Sequence, residues 1–144
     1  GERVEIARKN GATWAGNPLE EDIVGAILGR EREGMDAVFE CAGQQETVDE
    51  AIDLLKPGGR LMMIGIPRIE RISFVIEKAR RKEISFINVR RQNECAQAAV
   101  DSVASGRIKV DFMATHTFRL EQAQEAFDTV AGYRDGVVKA LIKV

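Results

Sequence analysis

The chain has 144 residues and a formal net charge of -2, from 21 Lys and Arg against 23 Asp and Glu. This length is enough for one domain with a buried core. The nearly balanced charge argues against a nucleic-acid partner, and no apolar run reaches the roughly 18 to 20 residues that span a bilayer. The charged opening, GERVEIARKNGA, lacks the apolar stretch of a secretory signal, so we expect a cytoplasmic protein without a membrane partner.

Cysteine and histidine are scarce. Cys41 and Cys95 are far apart and do not form a Cys-x-x-Cys motif, and His116 is the single histidine. A structural zinc site needs about four such ligands. We therefore expect two reduced, buried thiols and no metal ligands within these residues.

The first half of the chain alternates helical and strand patterns. Apolar residues at helical spacing predict three helices, at residues 2–10, 20–30 and 45–55. Extended runs bounded by glycine or proline predict strands, at residues 12–18, 35–43 and 58–65. The last two, MDAVFECAG and GGRLMMIG, are apolar enough to be buried on both faces. Such alternation with short connections predicts βαβ units in a parallel sheet.

After Pro67 the pattern is looser. Further helices are predicted at residues 75–81, 96–104 and 120–130, and further strands at residues 82–89, 113–118 and 136–144. In the last helix, four apolar residues fall on one stripe and are predicted to face the core: Leu120, Ala123, Phe127 and Val130.

Two of the predicted strands end in glycine, at Gly43 and Gly65. Ligands of open parallel sheets bind at the carboxyl ends of the strands, and glycine lets a flat ligand approach the backbone. Each glycine alone is equally compatible with an ordinary loop. The pair together favours a ligand crevice at this edge of the sheet.

The stretch DLLKPGGRLMMIG, residues 53–65, resembles two families. One is the class I methyltransferases, which would need a glycine-rich loop upstream and would have no place for THTFRLEQAQEAFDTV, residues 115–130. The other is the zinc-dependent medium-chain alcohol and polyol dehydrogenases, whose C-terminal part resembles nearly the whole chain. NVRRQN, residues 88–93, is most similar to the sorbitol dehydrogenase branch.

This resemblance implies an α/β fold, a Rossmann-like doubly wound parallel sheet truncated by its first two strands. Residues 1–89 would be the partial NAD-binding domain, and residues 90–144 the helices and strand that return to the catalytic domain. The implied reaction is hydride transfer between a zinc-bound alcohol or polyol substrate and NAD or NADP. The family's zinc ligands, GxGxxG turn and ribose-binding acid would precede this chain. We therefore expect the chain alone to be inactive and to bind no cofactor tightly.

The resemblance also implies site residues, none of them catalytic or metal-binding. Arg3 matches a basic residue near the adenosine ribose, and Arg90 an arginine of the polyol pocket; solvated surface charges are the alternative for both. Main-chain contacts to the cofactor are implied at three strand ends: Cys41, Ala42 and Gly43; Ile64, Gly65 and Ile66; and Asn88 and Val89.

Partners follow from the sheet edges. In the family the sixth strand, here Glu83 to Val89, pairs across a dimer, so a homo-oligomer is expected. A stand-alone oligomerisation or interaction domain is the alternative function. Without the first two strands, the third strand, residues 12–16, cannot leave its backbone groups unpaired. We expect it to lie beside the fourth strand, to swap into another chain or to detach.

Overall fold

A computed structural model of the protein describes all residues, 1–144. Its helices are Glu2–Lys9 (α1), Ile23–Leu28 (α2), Gln45–Leu54 (α3), Ile76–Arg81 (α4), Ala96–Ala104 (α5) and Ala123–Ala131 (α6). Its strands are Met35–Glu40 (β1), Leu55–Met63 (β2), Ser85–Asn88 (β3), Ala114–Arg119 (β4) and Lys139–Lys143 (β5). The predicted order of elements is confirmed, except that residues 12–18 form no strand.

The chain divides into two compact units. One is Glu20–Asn93, and the other combines Gly1–Leu19 with Glu94–Val144. The resemblance implies a different division, between a partial NAD-binding domain at residues 1–89 and a returning segment at residues 90–144. This functional division stays a prediction. No helix in either unit has the length and apolar character that a membrane crossing requires.

The unit Glu20–Asn93 contains a parallel sheet of three strands in the order β1-β2-β3. Val38 pairs with Leu61, and Met62 with Ile87. Helix α3 joins β1 to β2 and helix α4 joins β2 to β3, as in βαβ units. The α/β, Rossmann-like fold class predicted from the sequence is confirmed.

The core of this unit lies between α3 and the sheet. Five residues are at most 2% exposed there: Val48, Ala51, Ile52, Leu55 and Leu61. Val48, Ala51 and Ile52 lie on one face of α3, as their helical spacing predicts. Full burial of such aliphatic side chains contributes about 1.5–3 kcal/mol each, so this cluster holds the helix against the strands.

Strand β1 is the edge of the sheet, and β2 is its only strand partner. Phe39 is 64% exposed, and the prediction that this strand is buried on both faces is wrong. Val38 packs against the core cluster beside α3, and Phe39, the next residue, points to the opposite face of the sheet, which is open to solvent. Residues 12–16 form no strand, so the expectation that they pair with this strand is not met.

The other unit contains the parallel pair β4-β5, with α6 as the connecting helix. Ala126, Thr129 and Val137 are its buried residues. The predicted core-facing stripe of α6 is wrong, since Leu120 is 57% exposed and Phe127 is 70% exposed. Ala126 and Thr129 are the buried residues of this helix, while Phe127 and Val130 line an open cavity beside Ala140 and Ile142 of β5.

Candidate functional site

The carboxyl ends of β1, β2 and β3 meet at one edge of the sheet, because the three strands are parallel neighbours. This edge collects every predicted site residue except Arg3: Cys41, Ala42, Gly43, Ile64, Gly65, Ile66, Asn88, Val89 and Arg90. The structure thus brings together residues that the sequence separates by up to about a third of the chain.

Gly43 and Gly65 are in backbone contact at this edge. A Cβ added to Gly65 would lie 2.7 Å from the Gly43 Cα and closer still to its amide nitrogen. A Cβ added to Gly43 would lie 2.6 Å from the Ile66 carbonyl oxygen, and Gly43 has a φ of +69°. The two glycines are therefore required by the approach of one loop to the other, as well as by any ligand outside them.

Glu40 organises this contact, although the sequence-based reasoning did not select it. It is 3% exposed at the last position of β1. Its Oε1 accepts hydrogen bonds from the amides of Ala42 and Gly43, both at 2.7 Å, and from the Thr47 hydroxyl at 2.8 Å. A charged residue that closes an apolar strand was the sequence signal available for it, since buried charges are rare unless hydrogen-bonded.

A cavity of about 380 Å³ opens beside Gly65. Its lining is mainly apolar with a few polar groups: Met63, Gly65, Pro67, Ile69, Glu70, Ile72, Asn88, Val89 and Arg90. Ligand pockets usually have this composition and a volume of about 300–1,000 Å³. The cavity is therefore large enough for one end of a small ligand.

Two contacts fix the walls of this cavity. The Val89 amide donates to the Met63 carbonyl at 3.0 Å, which joins the ends of β3 and β2. The side-chain Nε2 of Gln45 donates to the Ser73 carbonyl at 2.6 Å, and the main-chain amide of Ser73 donates to the Gln45 Oε1 at 3.0 Å. The loop that carries Ile69 and Ile72 is thereby tied to the start of α3.

Arg3 belongs to the other unit. Its Nε and Nη2 donate to the Val137 carbonyl at 3.1 and 2.6 Å, and its guanidinium lies 4.7 Å from the centre of the Tyr133 ring. Arg3 is thus tied to protein groups of its own unit. A role beside an adenosine ribose stays a prediction.

The chain has no group of three or more His, Cys, Asp or Glu side chains that could hold a metal ion. Cys41 and Cys95 are both exposed, so the prediction that these thiols are buried is wrong. The clear pKa shifts also lie away from the strand ends. Lys56 hydrogen-bonds Asp36 and lowers the pKa of its carboxyl, while Arg81 and Arg80 lower the pKa of Glu77. These are surface ion pairs, and they do not mark a proton-transfer site.

Comparison with known proteins gives the family. Residues 1–105 match the model of the zinc-binding dehydrogenase family. An alcohol dehydrogenase of Cupriavidus necator is 32% identical over 98% of this chain and 40% of its own length. A sorbitol dehydrogenase of Bacillus subtilis is 26% identical over 97% of this chain and 40% of its own length.

The fold comparison agrees. A structure assigned as a zinc-binding dehydrogenase of Sinorhizobium meliloti, solved with NADP bound, is 29% identical with a TM-score of 0.87. The match covers 99% of this chain and 42% of that one. The chain therefore belongs to the zinc-binding dehydrogenase family, and its sheet is part of that family's cofactor-binding domain. It spans about two fifths of the length of the relatives that it matches.

Proposed function

We propose that this chain is the cofactor-facing part of a longer dehydrogenase that transfers a hydride from a secondary alcohol or polyol to NAD or NADP. The observation that carries the proposal is the meeting of three parallel strand ends beside one cavity, with Gly43 and Gly65 between them. Open α/β sheets bind ligands at this edge. The sorbitol dehydrogenase and the NADP-bound structure among the relatives support polyol and nicotinamide chemistry.

In this proposal the loops after β1 and β2 form the wall against the dinucleotide. Cys41 to Gly43 lie on the adenosine side, and Ile64 to Ile66 lie against the nicotinamide ribose and ring. The Ile64 and Ile66 side chains are 38% and 87% exposed in this chain. Apolar side chains placed there would exclude water from the ring that accepts the hydride.

The end of β3 would hold the nicotinamide carboxamide through its main chain. Because the Val89 amide is already bonded to Met63, we assign the acceptor role to main-chain carbonyl oxygens of Asn88 and Val89. Arg90, which lines the same cavity, would donate hydrogen bonds to polyol hydroxyl groups. Arg3 would approach the adenosine ribose.

Zinc and the phosphate-binding turn belong, in this proposal, to the part of the relatives' length that the chain does not cover. The two cysteines and one histidine here provide no zinc site, so no step is assigned to a metal through these residues. We expect the 144-residue chain to be inactive and to bind NAD only weakly. A low-micromolar affinity of this chain for NAD in a calorimetric titration would contradict that expectation.

The reaction is tested with the full-length protein that contains this chain. Purified zinc-loaded protein is given a panel of polyols and secondary alcohols with NAD or NADP, and formation of the reduced cofactor is followed by absorbance. Turnover of at least one polyol with one of the two cofactors supports the proposal. Absence of cofactor reduction across the panel, with zinc content confirmed, would overturn it.

The site is tested separately through Cys41, an exposed thiol at the end of β1. Alkylation of the full-length protein is followed by mass spectrometry, with the exposed Cys95 thiol as the internal reference. We expect saturating NAD or NADP to slow alkylation of Cys41 about tenfold and to leave Cys95 unchanged, because a bound ligand blocks access. Equal rates at Cys41 with and without the active cofactor would place the dinucleotide elsewhere.

We also propose a homo-oligomer through Glu83 to Val89. The support is that β3 is an edge strand and that all its residues are exposed, with Phe86 at 36% and Ile87 at 41%. Unpaired edges of this kind pair readily with another chain. Sedimentation of the Ile87→Lys variant should show a shift toward the monomer. An unchanged distribution of oligomers would show that this edge is not the interface.

A further inference from the structure

Glu40 makes more contacts than its place at a strand end requires. Its side-chain Oε1 holds the Ala42 and Gly43 amides and the Thr47 hydroxyl. Three donors on one oxygen fix both the turn after β1 and the first turn of α3. Hydrogen bonds to a carboxylate are stronger than those to a neutral acceptor, so this carboxylate holds the Cys41 to Gly43 loop in one conformation.

The main chain of Glu40 holds the neighbouring loop. Its carbonyl oxygen accepts hydrogen bonds from the Ile64 and Gly65 amides, both at 2.9 Å. Its Oε2 lies on the same side, since a Cβ added to Gly65 would be 2.6 Å from that oxygen. One residue therefore fixes the loop after β1 through its side chain and the loop after β2 through its backbone.

The Oε2 atom is buried and accepts no hydrogen bond. Leaving a buried carboxylate oxygen unpaired is unfavourable for stability. A glutamine at this position would keep an acceptor for the three donors without a buried charge. A carboxylate bonds these three donors more strongly than an amide oxygen would, so the buried charge lowers stability but holds the loop beside the crevice more tightly.

We propose that Glu40 is a positioning residue of the cofactor crevice. Its carboxylate holds the Cys41 to Gly43 loop in contact with Gly65 through hydrogen bonds. The two loops then form one preformed wall for the dinucleotide. A preformed wall lowers the entropic cost of binding. This inference rests on the proposed function for the identity of the ligand, while the locking of the two loops is a property of this chain alone.

The locking is tested by hydrogen exchange in the 144-residue chain. In Glu40→Ala, we expect the amides of Ala42 and Gly43 to exchange about tenfold faster or more, as expected for loss of a hydrogen bond. Glu40→Gln keeps a neutral acceptor and should restore part of this protection, because amide oxygens bond these donors less strongly than a carboxylate does. Thr47→Val removes a single donor and is the milder second variant if Glu40→Ala does not fold.

The matched control is Lys82→Met, which weakens the same unit at the other end of α3 by removing hydrogen bonds to Ile52 and Leu55. Lys82→Met should lower the melting temperature. Once exchange is corrected for this loss of global stability, the protection of the Ala42 and Gly43 amides should be the same as in the parent chain. Equal loss in Lys82→Met and Glu40→Ala would show general destabilisation and overturn the proposal. Failure of Glu40→Gln to restore protection would contradict positioning by these hydrogen bonds.

The role in cofactor binding is tested in the full-length protein. Glu40→Ala should raise the KM for NAD or NADP about tenfold, the equivalent of one lost hydrogen bond, and leave the alcohol KM unchanged. Lys82→Met should change neither constant. An unchanged cofactor KM together with faster exchange would confine Glu40 to a structural role. A full-length protein that reduces no nicotinamide cofactor would remove the proposed function, and the exchange result would still decide the locking.

Discussion

Gly43 and Gly65, which follow two different parallel strands, touch through their backbones. A Cβ on Gly65 would lie 2.7 Å from the Gly43 Cα, and a Cβ on Gly43 would lie 2.6 Å from the Ile66 carbonyl oxygen. Real Cβ atoms do not approach so closely, and all these neighbours are backbone atoms that cannot rotate away. The two strand ends can therefore close on each other only while both positions are glycine.

Gly65→Ala should consequently lower the free energy of unfolding of Glu20–Asn93 by about 1–3 kcal/mol, the usual cost of overpacking. Urea unfolding followed by circular dichroism measures this change. The control is Gly29→Ala, because Gly29 has helical backbone angles, φ -64° and ψ -27°. Alanine adopts these angles freely, although its Cβ would lie 3.2 Å from the Gly25 carbonyl oxygen, so its effect should be about 1 kcal/mol or less. Similar losses for both variants would mean that the contact is not tight.

Lys82 stabilises the end of α3. Its Nζ donates to the carbonyl oxygens of Ile52 and Asp53, both at 2.9 Å, and of Leu55 at 2.7 Å. These carbonyls lack helical partners at a C-terminus, and a positive charge is favourable there. Lys82→Met should therefore destabilise the unit by about 2–3 kcal/mol, as expected for charged hydrogen bonds that are half-buried.

The control for Lys82 is Lys78→Met. Lys78 pairs with Asp53 at 2.6 Å, but both side chains are well exposed. Exposed ion pairs contribute about 1 kcal/mol or less, so this variant should lower the melting temperature only slightly. Thermal unfolding of both variants at equal protein concentration gives the comparison. A larger loss in Lys78→Met would show that the surface pair, and not the capped helix end, holds α3 to α4.

The contrast between these residues shows what the sequence could predict. Apolar runs and helical spacing predicted the strands β1, β2 and β3, because these patterns are local. They also predicted the edge of the sheet where Gly43 and Gly65 meet. The hydrogen bonds of the Glu40 main chain to Ile64 and Gly65, and those of Lys82 to the end of α3, could not be assigned from the sequence, because they join segments that are more than twenty residues apart. Lys82 had the pattern of a solvated helix end within the run Arg80 to Lys82.

The errors have a related cause. The burial of β1 was overestimated because an apolar run does not reveal whether other elements pack on one face of it or on both. The α6 stripe was assigned to the core for the same reason, whereas Phe127 is 70% exposed and Ala126 is 3% exposed. Periodicity identifies an apolar face, and the partner of that face is a tertiary fact.

Arg3 joins the first helix to the segment before β5, across 134 positions of sequence. Its guanidinium forms two hydrogen bonds to Val137 and stacks on Tyr133. Lysine cannot reproduce this planar, bidentate contact. Arg3→Lys should therefore destabilise this unit by about 1–2 kcal/mol, measured by hydrogen exchange of α1 and β5. The control is Lys9→Met, which removes an exposed ion pair with Glu5 and should change the stability of this unit little. Equal destabilisation by Arg3→Lys and Lys9→Met would contradict the role of Arg3.

Asp36 and Lys56 form an ion pair between β1 and β2, with Nζ 2.5 Å from Oδ1. The Lys56 hydrogen bond, followed by its charge, lowers the pKa of Asp36 below the ordinary value of 3.8. Because the folded pKa is the lower one, the pair stabilises the fold above about pH 4 and loses this effect as the pH falls through the folded pKa. Asp36→Asn should thus reduce the acid dependence of the melting temperature.

The same pair raises the pKa of Lys56 above 10.5. Because the folded pKa of Lys56 is the higher one, its charge stabilises the fold fully at neutral pH. This stabilisation is lost only as the pH rises through the folded pKa of Lys56. An NMR titration of the Asp36 carboxyl should give a midpoint below 3.8 in the parent chain and a higher one in Lys56→Met. Added salt should bring the two midpoints together, because both side chains are exposed to screening. A midpoint that does not respond to Lys56→Met would show that the ion pair does not hold the strands together in solution.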